Sequence, residues 1–312
     1  MFQEKDFRQK TLGFFGSVGR YLLDTERFST VVYDPSLMEY KPRHFFEGAR
    51  LIVRRIISRQ HRIHAVLVKD DFVINKSYLI ALNKSKSYSL EFILAILNSR
   101  LISKTFVSMS EIAKRDDFPQ LDIATVCSLP ILNIFFTTSA AMRKKLAEQG
   151  ENIYEDDLKN IDTSGILAFA NKQLELNRTD VIHDLLAMLA EQMIEYNKIK
   201  FETVKRFHTD LGDFHNIDVH TLTPKTRLDE FWKMEITEVF EHLRKNKKII
   251  TGAGLNLSID DEDKIRNRFT SAKNSILPVE RNLEFTDNLI DQIVYRLYGL
   301  TDDEIKIVGK SS

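Results

Sequence analysis

The chain has 312 residues, 43% apolar and 29% charged, enough for two domains with separate cores. Lys+Arg and Asp+Glu balance at 45 each, which excludes a uniformly basic nucleic-acid binder. One cysteine, Cys127, excludes an intrachain disulfide and a thiolate-rich zinc site. The first residues form no apolar signal core, and no apolar run reaches about 18 residues, so a soluble, cytoplasmic protein without a membrane partner is expected.

The cancelled total conceals an uneven distribution. Residues 1–133 carry 20 Lys+Arg against 14 Asp+Glu, a net of +6, and the remainder has a net of −6. Between Lys41 and Lys86 there are 11 basic and 3 acidic residues, and a phosphate responds to that local field.

In chain order, residues 1–20 mix charge with Phe14, Phe15, Gly13, Gly16 and Gly19 and read as a lead-in turn. Residues 28–32 suit a short strand, and Tyr33-Asp34-Pro35-Ser36 a turn. A basic apolar run follows Phe45-Phe46-Glu47-Gly48 and covers residues 50–58. As a strand it sets Arg50, Ile52, Arg54 and Ile56 on one face and Leu51, Val53, Arg55 and Ile57 on the other. Neither face is purely polar, the pattern of a strand in a curved sheet whose arginine tips reach a rim. Further β-type runs cover residues 63–68 and 72–82. Ser89 is placed to cap a helix with Glu91 in its first turn and a broad stripe of Phe92, Ile93, Ile96, Leu97 and Leu101. This helix carries the core of the first domain and ends at Asn98-Ser99. Pro119 and Pro130 restrict residues 118–131 to an edge strand or extended strap.

Beyond residue 133 the composition changes, and from Thr163 the pattern turns helical. Residues 144–160 are polar and contain Gly150, which reads as a surface connection or two short irregular helices. Asp180 is placed to cap a long helix over 181–211, where Ile182, Leu186, Leu189, Met193 and Tyr196 form a coiled-coil-like seam and Gly212 is the stop. A second helix over 228–243 aligns Leu228, Phe231, Trp232, Ile236, Val239, Phe240 and Leu243, and a turn-rich insertion follows the basic run 244–248. A last helix over 283–298 places Leu289, Ile290, Ile293, Val294 and Leu297 on one face and ends at Gly299. Thr301 and Glu304 then form a capping box.

The basic strands, the buried helix ending in Asn98-Ser99 and the segment with Pro119 and Pro130 resemble the TaqI-like C-terminal specificity domain, and the ending from Asp291 through Tyr298-Gly299-Leu300 to Ile305 resembles the usual tail of restriction–modification polypeptides. That domain is the DNA target-recognition module of adenine-specific restriction–modification enzymes. The resemblance is loosest from about residue 133 to 285. It implies an α+β chain, with a curved, mostly antiparallel target-recognition domain over 1–133 and an α-helical spacer or docking domain over 134–312. The implied partners are double-stranded DNA and a methyltransferase or restriction domain or subunit. S-adenosylmethionine and Mg²⁺ would belong to that catalytic partner, leaving this chain without a cofactor.

On this reading DNA contacts come from Lys41, Arg43, Arg54, Arg55, Arg59, Arg62, Lys76, Lys84 and Lys86, on phosphates or base edges. The competing account is solvated surface charge whose stems cover apolar neighbours. Tyr33, Tyr40, Phe45, Phe46, Tyr78 and Tyr88 could stack on an unstacked base, although core packing suits most of them; Tyr40 and Phe45 are the expected exposed pair. His44, His61 and His64 fit no zinc spacing and read as structural.

Catalytic motifs are sparse. None of the six prolines is adjacent to another, so the Pro-Pro loop that grips a flipped adenine is lacking. Gly252-Ala253-Gly254 is the sole candidate cofactor turn, with Leu257 where a third glycine belongs, and reads as a plain turn. Asp260, Glu262 and Lys264 faintly resemble a nuclease core but are better explained as helix N-terminal acids. Cys127 sits among apolar residues and reads as an inert buried thiol. The expectation is a non-catalytic recognition module. The alternative is a protein–protein interaction module that kept the specificity fold.

Overall fold

Two small sheets form from the apolar runs of the first hundred residues. In the computed structural model the described residues are 9–24, 28–34, 40–57, 61–85, 87–109, 120–251 and 258–309. Expectations for Pro35-Ser36, Ser58, Arg59, Lys86, Phe118-Pro119, Gly252-Ala253-Gly254 and Leu257 lie outside them.

Strand β1 (Gln9–Phe14) pairs antiparallel with β2 (Phe28–Tyr33), with Phe14 opposite Phe28. Strand β3 (Arg50–Arg54) is the centre of the second sheet and β4 (Ala65–Val68) one antiparallel flank. Strand β5 (Val73–Ile74) returns to the first sheet, parallel to β1, whereas β6 (Tyr78–Leu82) completes the second. The expected single run 72–82 is therefore two strands in different sheets. The Asn75 side chain makes the break by accepting the Ser77 amide at 2.8 Å. Phe14, Phe28, Phe72 and Tyr78 pack at ring separations of 4.9 to 5.9 Å and fill the space beside β3 and β4.

Both faces of β3 are covered, which is why neither reads as polar. Arg50 does not reach a rim. Its guanidinium is fully buried, lies 4.7 Å over Phe72, and donates to the carbonyls of Gly48 (2.7 Å), Asp70 (2.9 Å) and Phe72 (3.1 Å). A charge out of water needs such partners, and here backbone oxygens supply them.

Helix α1 (Leu90–Asn98) starts where expected, with the Ser89 hydroxyl accepting the Phe92 amide at 3.1 Å. Burial of Phe92, Leu94, Ile96 and Leu97 contributes about 1.5–3 kcal/mol per side chain. At Ser99 the chain bends by 62° into α2 (Arg100–Met109). The Asn98 carboxamide clips the edge of β4, accepting the Ala65 amide at 2.9 Å and donating to the Ala65 carbonyl at 3.0 Å. Its neighbour Ser103 accepts the Ile63 amide at 3.1 Å.

The exit segment is not a continuous strap. Gln120 bridges to Ile56 and the Leu121 amide donates to Arg55 at 2.7 Å, after which a short helix, α3 (Ile123–Ser128), forms under an Asp122 cap. Cys127 lies on this helix and is exposed, because α3 buries none of its residues.

The polar stretch near 150 is one long helix, α4 (Ala140–Asn160), capped by Ser139. It buries only Leu146, Gly150 and Tyr154 of its 21 residues, too sparse a stripe to stand out. Gly150 lets Phe169 of α5 (Ser164–Glu175) approach to 3.4 Å of where its Cβ would lie. Helix α6 (Thr179–His215) outruns the expected 181–211. Asp180 sits inside it and accepts the Thr138 amide and hydroxyl instead of capping. Asn216, at φ 53°, is the stop, and its amide donates to the Gly212 carbonyl at 3.0 Å.

The expected helix over 228–243 is shorter, because turns and a 3₁₀ segment (Phe231–Lys233) precede α7 (Ile236–Lys245), which leads to α8 (Lys247–Thr251). The last long helix, α9 (Ile259–Leu297), starts well before residue 283 and includes Pro278. Gly299 ends it at φ 66°, and the Thr301–Glu304 box opens α10 (Asp302–Gly309).

Packing divides the chain into two compact units, Met1–Ile194 with Phe285–Ser312, and Glu195–Glu284. In the first, the C-terminal segment packs on the strand-and-helix region: the Tyr298 hydroxyl donates to the Pro130 carbonyl at 2.7 Å and Tyr154 meets Thr286 at 2.8 Å. The second has its own core of Phe207, Leu211, Phe231, Trp232, Val239, Phe240, Ile265 and Phe269.

Candidate nucleic-acid interface

Three of the basic residues singled out in the sequence converge on one concavity. Tyr40, Lys41, Arg55, Lys76, Tyr78, Leu79, Asp122, Ile123 and Ala124 line a recess of about 680 Å³. Each cation comes from a different segment: Lys41 precedes β3, Arg55 follows it, and Lys76 occupies the turn between β5 and β6.

Arg55 ties its own segment to the β5–β6 turn and to the chain before α3. Its Nε donates to the Leu121 carbonyl and its Nη1 to the Lys76 carbonyl, each at 3.3 Å, and its own amide donates to Ser77 at 3.1 Å. The Asp122 carboxylate accepts the Thr125 amide at 2.7 Å, and these cap bonds, helped by the Arg55 charge, hold its pKa below the usual carboxylate range. Tyr40 is 38% exposed, with its ring centroid 5.1 Å from that of Tyr33. Tyr78 is buried; its hydroxyl donates to Gly16 at 2.5 Å, and burial pushes its pKa up against the opposing charge of Arg54, its cross-strand partner.

The other singled-out cations lie apart from the recess lining. Arg43 is exposed and pairs with Glu47 at 2.6 Å. Arg54 is half-buried and Lys84 is exposed beyond β6. Arg62 turns inward: it donates to the Asn98 carbonyl at 2.8 Å and lies 3.9 Å from Asp287, with its side chain 14% exposed. Of the expected exposed aromatic pair, Tyr40 is exposed but Phe45 is half-buried, its ring 4.3 Å from that of His44.

Arg62 belongs to a buried ion cluster that sequence reasoning missed. Arg20 donates to Asp287 at 2.9 Å and to the Asn98 carbonyl at 3.0 Å, while Arg100 pairs with Asp291 at 2.9 Å and its amide donates to the same carboxylate at 2.7 Å. The Asn98-Ser99-Arg100 turn and the Asp291 segment, two parts of the resemblance far apart in sequence, thus meet around one buried charge network. Burial raises both aspartates. At Asp287 the charges and hydrogen bonds of Arg20, with Arg62 and Arg100, outweigh burial and hold the carboxyl low. At Asp291 burial and the adjacent Asp287 win over Arg62, and the carboxyl is raised.

Also unread in the sequence was the contribution of α3 to the recess. Asp122 followed by Ile123-Ala124-Thr125 was the available signal, an N-cap before a helix only six residues long. Among the described residues no group of His, Cys, Asp and Glu could hold a metal ion, and no single helix is long and apolar enough to cross a membrane. Asp261 and Glu262, with Asp260 in the first turn of α9, act locally: Asp261 accepts the Ser258 hydroxyl at 2.7 Å, and Glu262 pairs with Arg244 at 3.1 Å.

Comparison with known proteins bears on this same region. Residues 13–131 match the TaqI-like C-terminal specificity domain. The match takes in the end of β1, strands β2 to β6, the α1–α2 turn, α3 and every residue that lines the recess. A specificity domain is a recognition element, not a catalytic one. Residues 179–294 match a second family, described only as a domain of unknown function. A Methanocaldococcus jannaschii protein, whose name gives a provisional assignment as a type II restriction enzyme and methyltransferase, is 35% identical over 89 residues. That stretch is 28% of this chain and 8% of the relative, so the chain spans a small part of that protein's length. No solved structure matches the chain.

Proposed function

We propose that this chain recognises a double-stranded DNA sequence for a restriction–modification system and positions catalytic domains supplied by another chain or by another part of a longer polypeptide. The observation that carries the reading is the convergence of Lys41, Arg55 and Lys76 on one concave surface within the specificity-domain match. Three cations from separate segments in one recess fit a phosphate backbone better than scattered solvated charge does. Arg43, Arg54 and Lys84, with Arg59 and Lys86, extend the same basic stretch and would contribute phosphate or base contacts. Arg62 acts from within, holding the α1–α2 turn.

Recognition and chemistry are divided on this account. Lysine and arginine give affinity that falls with salt, while side chains in the recess read base edges in the major groove. The helices beyond residue 133 serve as spacer or docking surface for the catalytic part. S-adenosylmethionine and Mg²⁺ are requirements of that part.

The test is selection of bound duplexes from a randomised pool by the full chain at two salt concentrations, followed by sequencing. Salt-sensitive binding with an enriched sequence supports a reader. Binding without enrichment refutes sequence reading by this chain, and no binding at low salt refutes the DNA role and favours a protein partner.

A further inference from the structure

We infer that the recess recognises a thymine through its C5-methyl group, with Ile123 as the contacting side chain. This rests on the DNA-recognition reading above and adds to it a base and a residue.

Ile123 is 67% exposed, on a helix that buries none of its residues. Single exposed apolar residues are common on protein surfaces and ordinarily need no explanation. This one differs in its surroundings. It lies with Ala124 and Leu79 in a recess that also holds Lys41, Arg55 and Lys76, so its apolar surface faces the region where duplex would dock. Its position is also fixed. The chain just before it is held to the end of β3 by the Gln120–Ile56 bridge, by the Leu121 amide on Arg55 at 2.7 Å, and by Arg55 Nε on Leu121 at 3.3 Å. Asp122 then caps the helix. Such a support fixes the backbone from which the side chain projects.

The major groove presents one apolar feature, the thymine methyl, among donors and acceptors. An isoleucine there is matched to that feature and mismatched to every other base edge. The polar competitor in the recess is Asp122, since a carboxylate can accept from the cytosine amino group. Asp122 already accepts the Thr125 amide at 2.7 Å as the helix cap, and removal of the thymine methyl alone distinguishes a contact by Ile123 from one by this carboxylate.

The experiment uses the full chain and the sequence enriched from the randomised pool. Each thymine is replaced in turn by deoxyuridine, which removes the methyl alone. One position is expected to lose about fourfold in affinity, the equivalent of one methyl group buried. Ile123→Ala should bind the thymine and uracil duplexes equally, and Ile123→Val should keep part of the difference. Deoxyuridine without effect at every position, an enriched sequence without thymine, or discrimination that survives in Ile123→Ala would each overturn the inference while leaving DNA recognition intact. Absence of any DNA binding would overturn both.

Discussion

Replacing Asn98 by alanine removes both hydrogen bonds that hold α1 to the edge of β4. The two Ala65 groups do not suffer equally. The Ala65 carbonyl keeps a second donor, the Tyr21 amide at 2.9 Å, so it loses one of two bonds, worth about 0.5–1.5 kcal/mol. The Ala65 amide loses the acceptor 2.9 Å away in a site with no exposure, which costs about 1–3 kcal/mol. Together the loss is about 2–4 kcal/mol. With a urea slope near 2 kcal/mol per molar, the unfolding midpoint falls by about 1–2 M. Hydrogen exchange of the β4 amides should accelerate in parallel. Asn83→Ala is the comparison, because that carboxamide is exposed and donates to the Tyr88 carbonyl at 2.8 Å; its cost should stay below about 1 kcal/mol. A loss below about 0.5 kcal/mol for Asn98→Ala, or equal losses for the two variants, would refute the clip as a structural determinant.

Three more outcomes follow from the buried charges. Asp287→Asn should destabilise by about 3–5 kcal/mol at pH 7, since it leaves Arg20 buried without its carboxylate, and denaturant titration reads this directly. The folded pKa of Asp287 lies below its unfolded value, so its contribution is present above the ordinary carboxylate range and is lost as pH falls through the folded pKa. Asp291, raised by burial, has the opposite sign: its contribution is present at low pH and lost as pH rises, so Asp291→Asn should be tolerated at pH 7 far better than Asp287→Asn. Burial, with Arg20 and Arg54 nearby, pushes His64 down to about 4. The unfolded chain therefore takes up this proton first, and stability should fall by up to about 3 kcal/mol between pH 6.5 and 4, a slope that His64→Gln removes in midpoints measured across that window.

What the sequence disclosed depended on how local the signal was. The Ser89 cap, the Gly299 stop and the Thr301–Glu304 box are written within four residues each, and all three are present. Helix α4 was missed because it buries only three of its 21 residues, with Gly150 in the middle reading as a break where it serves as close packing against Phe169. Asn216 displaced Gly212 as the end of α6 because either residue tolerates a positive φ, and the choice rests on where the chain must turn into Ile217, which is buried in the neighbouring core. At the candidate site the basic residues were legible but their fates were not. Arg50, Arg55 and Arg62 look alike in the run from 50 to 62; the carbonyls of Gly48, Asp70 and Phe72 claim Arg50, Asn98 and Asp287 claim Arg62, and of the three only Arg55 lines the recess. Those partners lie up to hundreds of residues away, beyond the reach of spacing or periodicity.

The central claim, that the recess binds DNA phosphates, is tested most directly by the salt dependence of duplex binding. Lys41→Gln with Lys76→Gln removes two of its three cations without touching the Arg55 hydrogen bonds, whose acceptors are backbone carbonyls. The slope of log affinity against log salt should become shallower by about 1.8, or about 0.9 for each phosphate that is no longer neutralised. Lys159→Gln with Lys306→Gln, two exposed lysines outside the recess, should leave it unchanged. A slope unaltered by the first pair, or altered equally by the second, would contradict the assignment.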